Sequence, residues 1–373
     1  MSSPRKHSRA IRAITSLSLG IVALSAIGWL GLGRISGSLN RTDAFAGIDN
    51  RPDKPTSAMN LLLVGSDNRQ GLTKDQIREL WVGGTDIAAG ARSDTMLLVH
   101  ISKDRDSAVI VSLPRDSLVT IPEHVSSSDK TKIVPARQNK LNAAFSFGGA
   151  PLLIETLEGE TGLRIDHYIE INYLGFTNII DALGGIDVCV KKDINDSKSD
   201  LELSAGLQTL DGIQALKYVR TRDFDGLGDI GRMKRQQEFM SAVLRKATST
   251  GTLLNPIKLV SFLNAAIKTV TTDNDFNKND LLTLGKQLKN LSADRVRTLT
   301  IPLSTANGRA EGVGSVVIWD SVLAPDLFNR LLSDQPIIDE VKATPSASAS
   351  PTTTIVDKFK TQTASDNACP SAK

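Results

Sequence analysis

No charged side chain occurs between Arg12 and Arg34. As a helix, the intervening run AITSLSLGIVALSAIGWLGLG (residues 13–33) spans about 30 Å, the thickness of one bilayer core. Arg5, Lys6, Arg9 and Arg12 precede it. The positive-inside rule then puts residues 1–12 in the cytoplasm and everything beyond Arg34 outside. The competing reading is a cleaved signal peptide. Against it, the run is long for such a segment, and the nearest A-x-A, at Ala44 and Ala46, lies well past it. The expectation is a single-pass signal-anchor in the cell membrane, with an extracytoplasmic domain behind it.

An exported domain changes the meaning of its cysteines. There are two, Cys189 after the apolar run GGIDVCV and Cys369 in the polar stretch DNACPSAK. Outside the cytosol an even count permits a disulfide. A Cys189–Cys369 bridge would close a loop of about 180 residues, on the order of 5 kcal/mol in the chain-entropy model. The alternative is one buried thiol and one thiol in the tail.

Composition removes several function classes. Lys and Arg number 44 against 41 Asp and Glu, a net charge of +3, too small for a general nucleic-acid coat. Aromatics are 4% of the chain, too few for base-stacking platforms. The four histidines make no HExxH, two cysteines cannot make a four-thiolate zinc site, and there is no GxxxxGK[ST] or GxSxG. The simple forms of P-loop NTPase, zinc protease and serine hydrolase are excluded, and no nucleic-acid partner is expected.

Residues 34–57 are polar and read as a linker, and ATPSASASPTTT (343–354) is low-complexity. These leave a domain over about 58–335 and a flexible tail over 336–373. Inside the domain, MNLLLVG (59–65), DTMLLVHI (94–101), SAVIVSLP (107–114), HYIEIN (167–172), IDVCV (186–190) and VRTLTIP (296–302) read as strands. Helical spacing runs from about Pro151, and again through LGFTNIIDALGG, LDGIQALKYVR, GRMKRQQEFMSAVLRKA, NPIKLVSFLNAAIKTV, KNDLLTLGKQLKNL and DSVLAPDLFNRLL. The first two strands are nearly continuous apolar runs, as in a sheet covered on both faces. Alternation of strands and helices argues for an α/β layered domain with a central sheet.

Polar residues gather at the ends of these elements. GSDNR puts Asp67 and Arg69 after the first strand, RSDT puts Arg92 and Asp94 at the start of the second, and LPRDS puts Arg115 and Asp116 after the third. Strand ends are where open α/β sheets take ligands. Asp67 and Asp94 meet if their strands are antiparallel neighbours, and a carboxylate pair suits a hard cation such as Mg²⁺. Singly, each is more often a turn former or a cap. The richest segment is YVRTRDFDGLGDIGRMKRQQ, with Arg220, Arg222, Arg232, Lys234 and Arg235. In an extended chain Arg220 and Arg222 point the same way. On the following helix, with Asp229 as its N-cap, Arg232 and Gln236 share a face beside Arg235. Guanidinium forks bind phosphate bidentately, and a helix N-terminus favours anions. Together with a divalent metal these describe a diphosphate site. A solvated basic face is the ordinary reading of a charge run. Here four of five cations are Arg, and glycines bound the run.

Over residues 59–250 the chain resembles the LytR-CpsA-Psr family of bacterial cell-wall ligases, in an actinobacterial style. The resemblance rests on LLLVGSDNR, RSDTMLLVH, VIVSLPRDSLV, KLNAAFSFGG, GLRIDHYIEINYLGF, IIDALGGIDV, LSAGLQTLDGIQALKYVRTR and DIGRMKRQQ, in that order. It implies a three-layer α-β-α catalytic domain with a central mixed sheet, behind one N-terminal transmembrane helix. It implies a phosphotransferase that moves a glycopolymer from a polyprenyl-pyrophosphate carrier onto a peptidoglycan hydroxyl, with Mg²⁺ or Mn²⁺. Asp67 and Asp94 match the family's metal-site aspartates. Arg92, Arg115, Arg220, Arg222, Arg232 and Gln236 match its pyrophosphate-binding residues. Asp94, Asp67 and Arg115 are the catalytic candidates, with Asp94 first and Asp67 second as base. The lipid is expected against Ile154, Leu157, Phe176, Ile179, Ile180 and Leu183, apolar positions on helices that cover the sheet. One departure is the long link GLTKDQIRELWVGGTDIAAGA, carrying Trp81, between GSDNR and RSDT: a lid or a surface insertion. The alternatives are a pyrophosphatase acting on the same lipid and a non-catalytic wall-binding or regulatory protein.

Overall fold

The computed structural model describes residues 40–363 and 365, apart from 70–71, 84–92, 222–227, 250–269, 278–279, 281–282, 285–286, 288–290 and 343–352. The side chains of 94, 228–230, 233, 248–249, 340–342 and 353–355 are also outside the description. The chain divides into Met1–Leu39, which lies outside the described residues with the expected membrane segment 13–33, and Asn40–Lys373. Among the described residues no helix is long and apolar enough to cross a membrane.

An eight-stranded mixed sheet organises the domain. Its strands are β1 (Asn40–Thr42), β2 (Met59–Ser66), β3 (Ser93–Ile101), β4 (Ala108–Leu113), β5 (His167–Ile171), β6 (Val270–Asp273), β7 (Val296–Thr300) and β8 (Gln362–Thr363). Their order is β1-β6-β5-β2-β3-β4-β7-β8. The β2–β3–β4 meander is antiparallel, whereas β2–β5 and β4–β7 are parallel. Among the described residues the α-helices include α1 (Lys74–Glu79), α2 (Leu141–Thr161), α3 (Tyr173–Ala182), α4 (Gly212–Arg220), α5 (Gly228–Ser249) and α6 (Leu323–Leu332).

Period-two alternation sends neighbours on each strand to opposite faces. Leu62, Val64, Met96, Leu98, Val111 and Leu113 pack against α2 and α6, through Leu153, Ile154, Leu157 and Leu327. Helix α2 breaks at Gly149 (φ 66), just before Pro151, whose ring removes a backbone donor. The helix begins ten residues before Pro151, because LNAAFSFG is helical as well. On the other face, Leu61, Leu63, Leu97 and Ile110 meet α5 through Met240 and Leu244. Helices α3 and α4 close this side. They approach tightly because a Cβ at Gly212 would collide with the Thr177 carbonyl.

Two expected boundaries shift. The linker reading of 34–57 fails from Asn40 on: β1 pairs with β6, Ala44 is fully buried, and Arg51 is bonded to the buried carboxylate of Glu158 at 2.5 Å. The flexible-tail reading of 336–373 also fails in part. Asp339–Lys342 pairs with Thr353–Val356, Phe359 is buried, and β8 adds to β7. Both segments are polar, but edge pairing needs only free backbone donors and acceptors.

Candidate functional site

Between the β2–β3–β4 face and helices α3, α4 and α5 lies a cavity of about 450 Å³. Its apolar lining comes from Leu63, Leu97 and Ile110 on the strands, Phe176 on α3, Leu216 and Val219 on α4, and Phe239 and Met240 on α5. Phe176 and Phe239 stand with ring centroids 5.7 Å apart. Tyr218, packed beside Phe239, has its phenol pushed up to about 12 by burial and by Glu238, so it stays protonated. Asp67, Tyr173, Lys198, Arg220, Arg232 and Gln236 also line the cavity. With Asp196, which lines it as well, one space thus joins an apolar wall to three cations and two carboxylates.

The polar set converges for local reasons. Asp67 directly follows β2, whose end is irregular: Gly65 pairs with Thr95 but Ser66 pairs with Ser93. Asp94 is left as the extra residue of a β-bulge, a device that re-aims a strand beside a site. The β2–β3 pairing is antiparallel, which brings the Asp67 and Asp94 positions to the same strand ends. The side chain of Asp94 and all of Arg92 are outside the described residues.

Arg220 is the last residue of α4, so the extended Arg220–Arg222 pairing is replaced by a helix end; Arg222 is outside the described residues. The Arg220 guanidinium donates to the Trp81 carbonyl at 2.9 Å and sits 5.4 Å from the Tyr173 ring centroid. Arg232 is on α5 and 7% exposed, and Gln236, one turn on, donates to the Val219 carbonyl at 3.4 Å. Helix α5 begins at Gly228, which places Asp229 inside its first turn rather than at the cap. Arg235 is buried and donates to the Thr221 carbonyl, tying α5 to the segment after α4, while Lys234 is exposed. The basic run therefore divides: Arg220 and Arg232 face the cavity, and Arg235 holds the fold.

Arg115 is not among the cavity-lining residues. Its Nε lies 3.4 Å from Asp116, which also takes Lys140 at 3.0 Å. That corner is fixed from outside: the Asp116 carbonyl accepts from Val317 at 2.9 Å, and the Trp319 indole donates to Ser117 at 2.8 Å.

Of the expected lipid contacts, Phe176 lines the cavity. Ile154 and Leu157 are fully buried on the opposite face of the sheet. Ile180 and Leu183 pack with Val188, Leu210 and Phe239 in a separate core, and Ile179 is half-buried away from the cavity. Helical spacing identifies apolar positions without saying which face of the sheet a helix covers. The strand residues Leu63, Leu97 and Ile110 were legible as apolar but indistinguishable from core. Tyr173 and Lys198 carried no signal beyond residue type. Cys189 is disulfide-bonded, and Cys369 lies outside the described residues.

The 72–82 part of the long link is built into this wall. Helix α1 is closed by a capping box between Thr73 and Gln76. Ile77, Leu80 and Val82 pack on Leu216 of α4, with Tyr173 and Phe176 against them.

The family model described as the LytR_cpsA_psr family matches residues 35–322. A protein of Corynebacterium glutamicum named "Probable cell wall biosynthesis protein LcpB" is 39% identical over 293 residues, 79% of this chain and 65% of the relative. "Polyisoprenyl-teichoic acid--peptidoglycan teichoic acid transferase TagU" of Oceanobacillus iheyensis is 31% identical over 289 residues, 75% of this chain and 76% of that protein. The chain thus spans just under two thirds of the corynebacterial relative. Among solved structures, "LytR-Csp2A-Psr enzyme from Actinomyces oris" shares the fold with a TM-score of 0.59 at 24% identity, covering 79% of this chain and 95% of that one. "TagT bound to LI-WTA" does so with a TM-score of 0.53 at 23% identity, covering 80% and 98%.

Proposed function

The chain belongs to the LytR-CpsA-Psr family, and from that premise we propose that it transfers a glycopolymer from a polyprenyl-pyrophosphate carrier to peptidoglycan and releases polyprenyl phosphate. One observation carries the reading: Arg220, Arg232, Gln236 and Asp67 line the same cavity as a broad apolar wall. A prenyl tail joined to a diphosphate needs both, and a small polar metabolite needs no such wall. The relatives named for cell wall biosynthesis and for teichoic acid transfer to peptidoglycan support it.

In the reaction, an acceptor hydroxyl oxygen attacks the sugar-side phosphorus. A new P–O bond forms, the bridging P–O bond breaks, and the prenyl phosphate departs with its electron pair. Asp94 or Asp67 takes the hydroxyl proton. Arg220 and Arg232 hold the phosphates against the charge that builds on their oxygens, and Gln236 orients them. Arg92, Arg115 and Arg222 complete the pyrophosphate set in this reading. Mg²⁺ characteristically binds one or two carboxylates plus substrate phosphates, and a cavity-lining Asp67 beside the Asp94 bulge fits that donor set. The ion would neutralise the diphosphate there. Residues 13–33 would anchor the enzyme in the cytoplasmic membrane, and Cys189 would pair with Cys369.

The test is purified protein with a lipid-diphosphate-linked glycan, Mg²⁺, and peptidoglycan present or absent. Covalent glycan on peptidoglycan is the expected result. Free sugar phosphate at equal rate without acceptor would make the protein a pyrophosphatase, and no consumption of the lipid would end the phosphotransfer reading.

A further inference from the structure

Trp81 has a backbone φ of 54 and is 46% exposed. Both are unusual. A bulky residue in the left-handed region is a steric outlier, and such strain persists only where surroundings enforce it. The chain has an easier solution two residues on, where Gly83 takes φ 75. An indole half in water also forgoes much of its burial energy.

What enforces the conformation is two hydrogen bonds to cavity-lining residues. The Trp81 carbonyl accepts from Arg220 at 2.9 Å, and the indole Nε1 donates to the Lys198 carbonyl at 3.1 Å. The ring is thereby fixed at the rim beside the guanidinium assigned to the diphosphate. In a glycan-diphosphate lipid the first sugar is bonded directly to a phosphate, so it must lie within a few ångströms of that guanidinium. Pyranose rings carry apolar C–H faces, and a rigid exposed indole is a suitable platform for one.

We propose that Trp81 is a stacking platform for the first pyranose ring of the donor glycan, an inference that rests on the diphosphate reading above. The indole face recognises the sugar, while the main-chain carbonyl serves Arg220. These two roles separate by mutation, because every substitution at 81 keeps the carbonyl.

The experiment is calorimetric titration of the full chain in detergent with two probes, geranylgeranyl diphosphate and N-acetylglucosaminyl geranylgeranyl diphosphate. Wild type is expected to bind both. Trp81→Ala and Trp81→Leu should weaken the sugar-bearing probe about tenfold, the scale of one aromatic contact, and leave the sugarless probe within twofold. Trp81→Phe should recover most of the loss. Leucine preserves bulk without a ring face, so it decides the matter if alanine disturbs the 72–82 segment. Wild-type affinity of Trp81→Leu for the sugar-bearing probe, or equal weakening of both probes, overturns the platform while the diphosphate reading stands. Binding of neither probe by wild type overturns both.

Discussion

Leu97 and Leu98 are adjacent on β3, and they stand on opposite sides of one sheet in quite different surroundings. Leu98 is 1% exposed and sealed under α2 together with Leu62 and Val111. Leu97 lines the 450 Å³ cavity with Leu63 and Ile110. Both faces of the meander are apolar, so hydrophobicity alone does not distinguish core from binding site. The difference lies in what arrives from above. Helix α2 presents Leu153, Ile154 and Leu157 directly onto one face. On the other, α3, α4 and α5 lean on one another and on the 72–82 segment, and hold Phe176, Leu216 and Phe239 away from the strands. A site in this fold is a face of the sheet left incompletely covered, with charged helix ends set around the gap.

The largest expected effect belongs to the charges on the open side. Arg220→Ala should lower glycan transfer by about 10²–10³-fold, as for loss of one donor to developing charge. Its thermal midpoint should match wild type, because among the described residues Arg220 meets the Trp81 carbonyl and the Tyr173 ring face at the rim. Arg235→Ala is the contrast: its guanidinium is buried on the Thr221 carbonyl, so stability should fall along with activity. Equal behaviour of the two variants would mean that the division of the basic run is mistaken.

Next in size is the test of the faces themselves. Leu98→Ala should cost about 2–5 kcal/mol in urea unfolding, since it opens a void in a closed core. Leu97→Ala should cost clearly less, because it only enlarges a space already present. The reverse substitution sharpens the contrast. Leu98→Phe should be destabilising by about 1–3 kcal/mol through overpacking, whereas Leu97→Phe should be nearly neutral for folding and should weaken prenyl-diphosphate binding. If Leu97→Ala proved as costly as Leu98→Ala, the cavity would be closed in solution.

The same comparison shows what could be read in advance. Residues 59–66, 93–101 and 108–113 were legible because near-continuous Leu, Val and Ile runs are unmistakable. Antiparallel pairing of the first two was only a condition in the sequence; the structure meets it, and it brings the Asp67 and Asp94 positions to one edge. Arg232 and Gln236 were legible from helical spacing. The sidedness of apolar residues was not. Ile154 and Phe176 look alike in sequence, yet one is sealed beneath the sheet and the other lines the cavity. The hairpins Leu118–Ile121 with Arg137–Lys140, and Leu303–Ala310 with Gly314–Trp319, were missed for a related reason. In each hairpin an apolar strand, LVTI or GSVVIW, pairs with a polar one, RQNK or LSTANGRA, so only one arm buries a stripe, through Val119, Ile121, Val316 and Val317, and the partner arm gives no apolar run to read. Val270 was read as the last residue of the helix NPIKLVSFLNAAIKTV and residues 271–273 were given no element; the strand Val270–Asp273 exists because β1 and β5 flank it. Lys198 sits in an Asx turn in which Asp196 accepts from its backbone at 2.8 Å, a local geometry that residue type alone does not announce.

The smallest effect comes from a polar pin at the edge of the sealed face. His100 on β3 is 4% exposed, with Nδ1 at 2.8 Å from the Asn60 side-chain oxygen and Nε2 at 3.2 Å from Asp334, just beyond α6. Burial lowers its pKa, and the nearby Asp334 only partly opposes this. A histidine whose folded pKa lies below the unfolded value of about 6.5 favours the neutral ring in the fold. Its contribution is therefore complete above that unfolded value. It declines as pH falls through 6.5 toward the lower folded pKa, because the unfolded chain takes up the proton first. Urea midpoints at pH 7.5 and 5.5 should accordingly separate in wild type by more than in His100→Gln, whose side chain keeps a hydrogen bond without titrating. The open face has no such buried histidine among the described residues, so Leu97 variants should carry the wild-type pH dependence unchanged. An identical pH separation in wild type and His100→Gln would place the acid sensitivity of the domain elsewhere. The leading alternative is Asp273: burial alone would raise its pKa, but hydrogen bonds from His167 and the Tyr168 backbone outweigh burial and lower it, so its contribution is lost only at more acid pH.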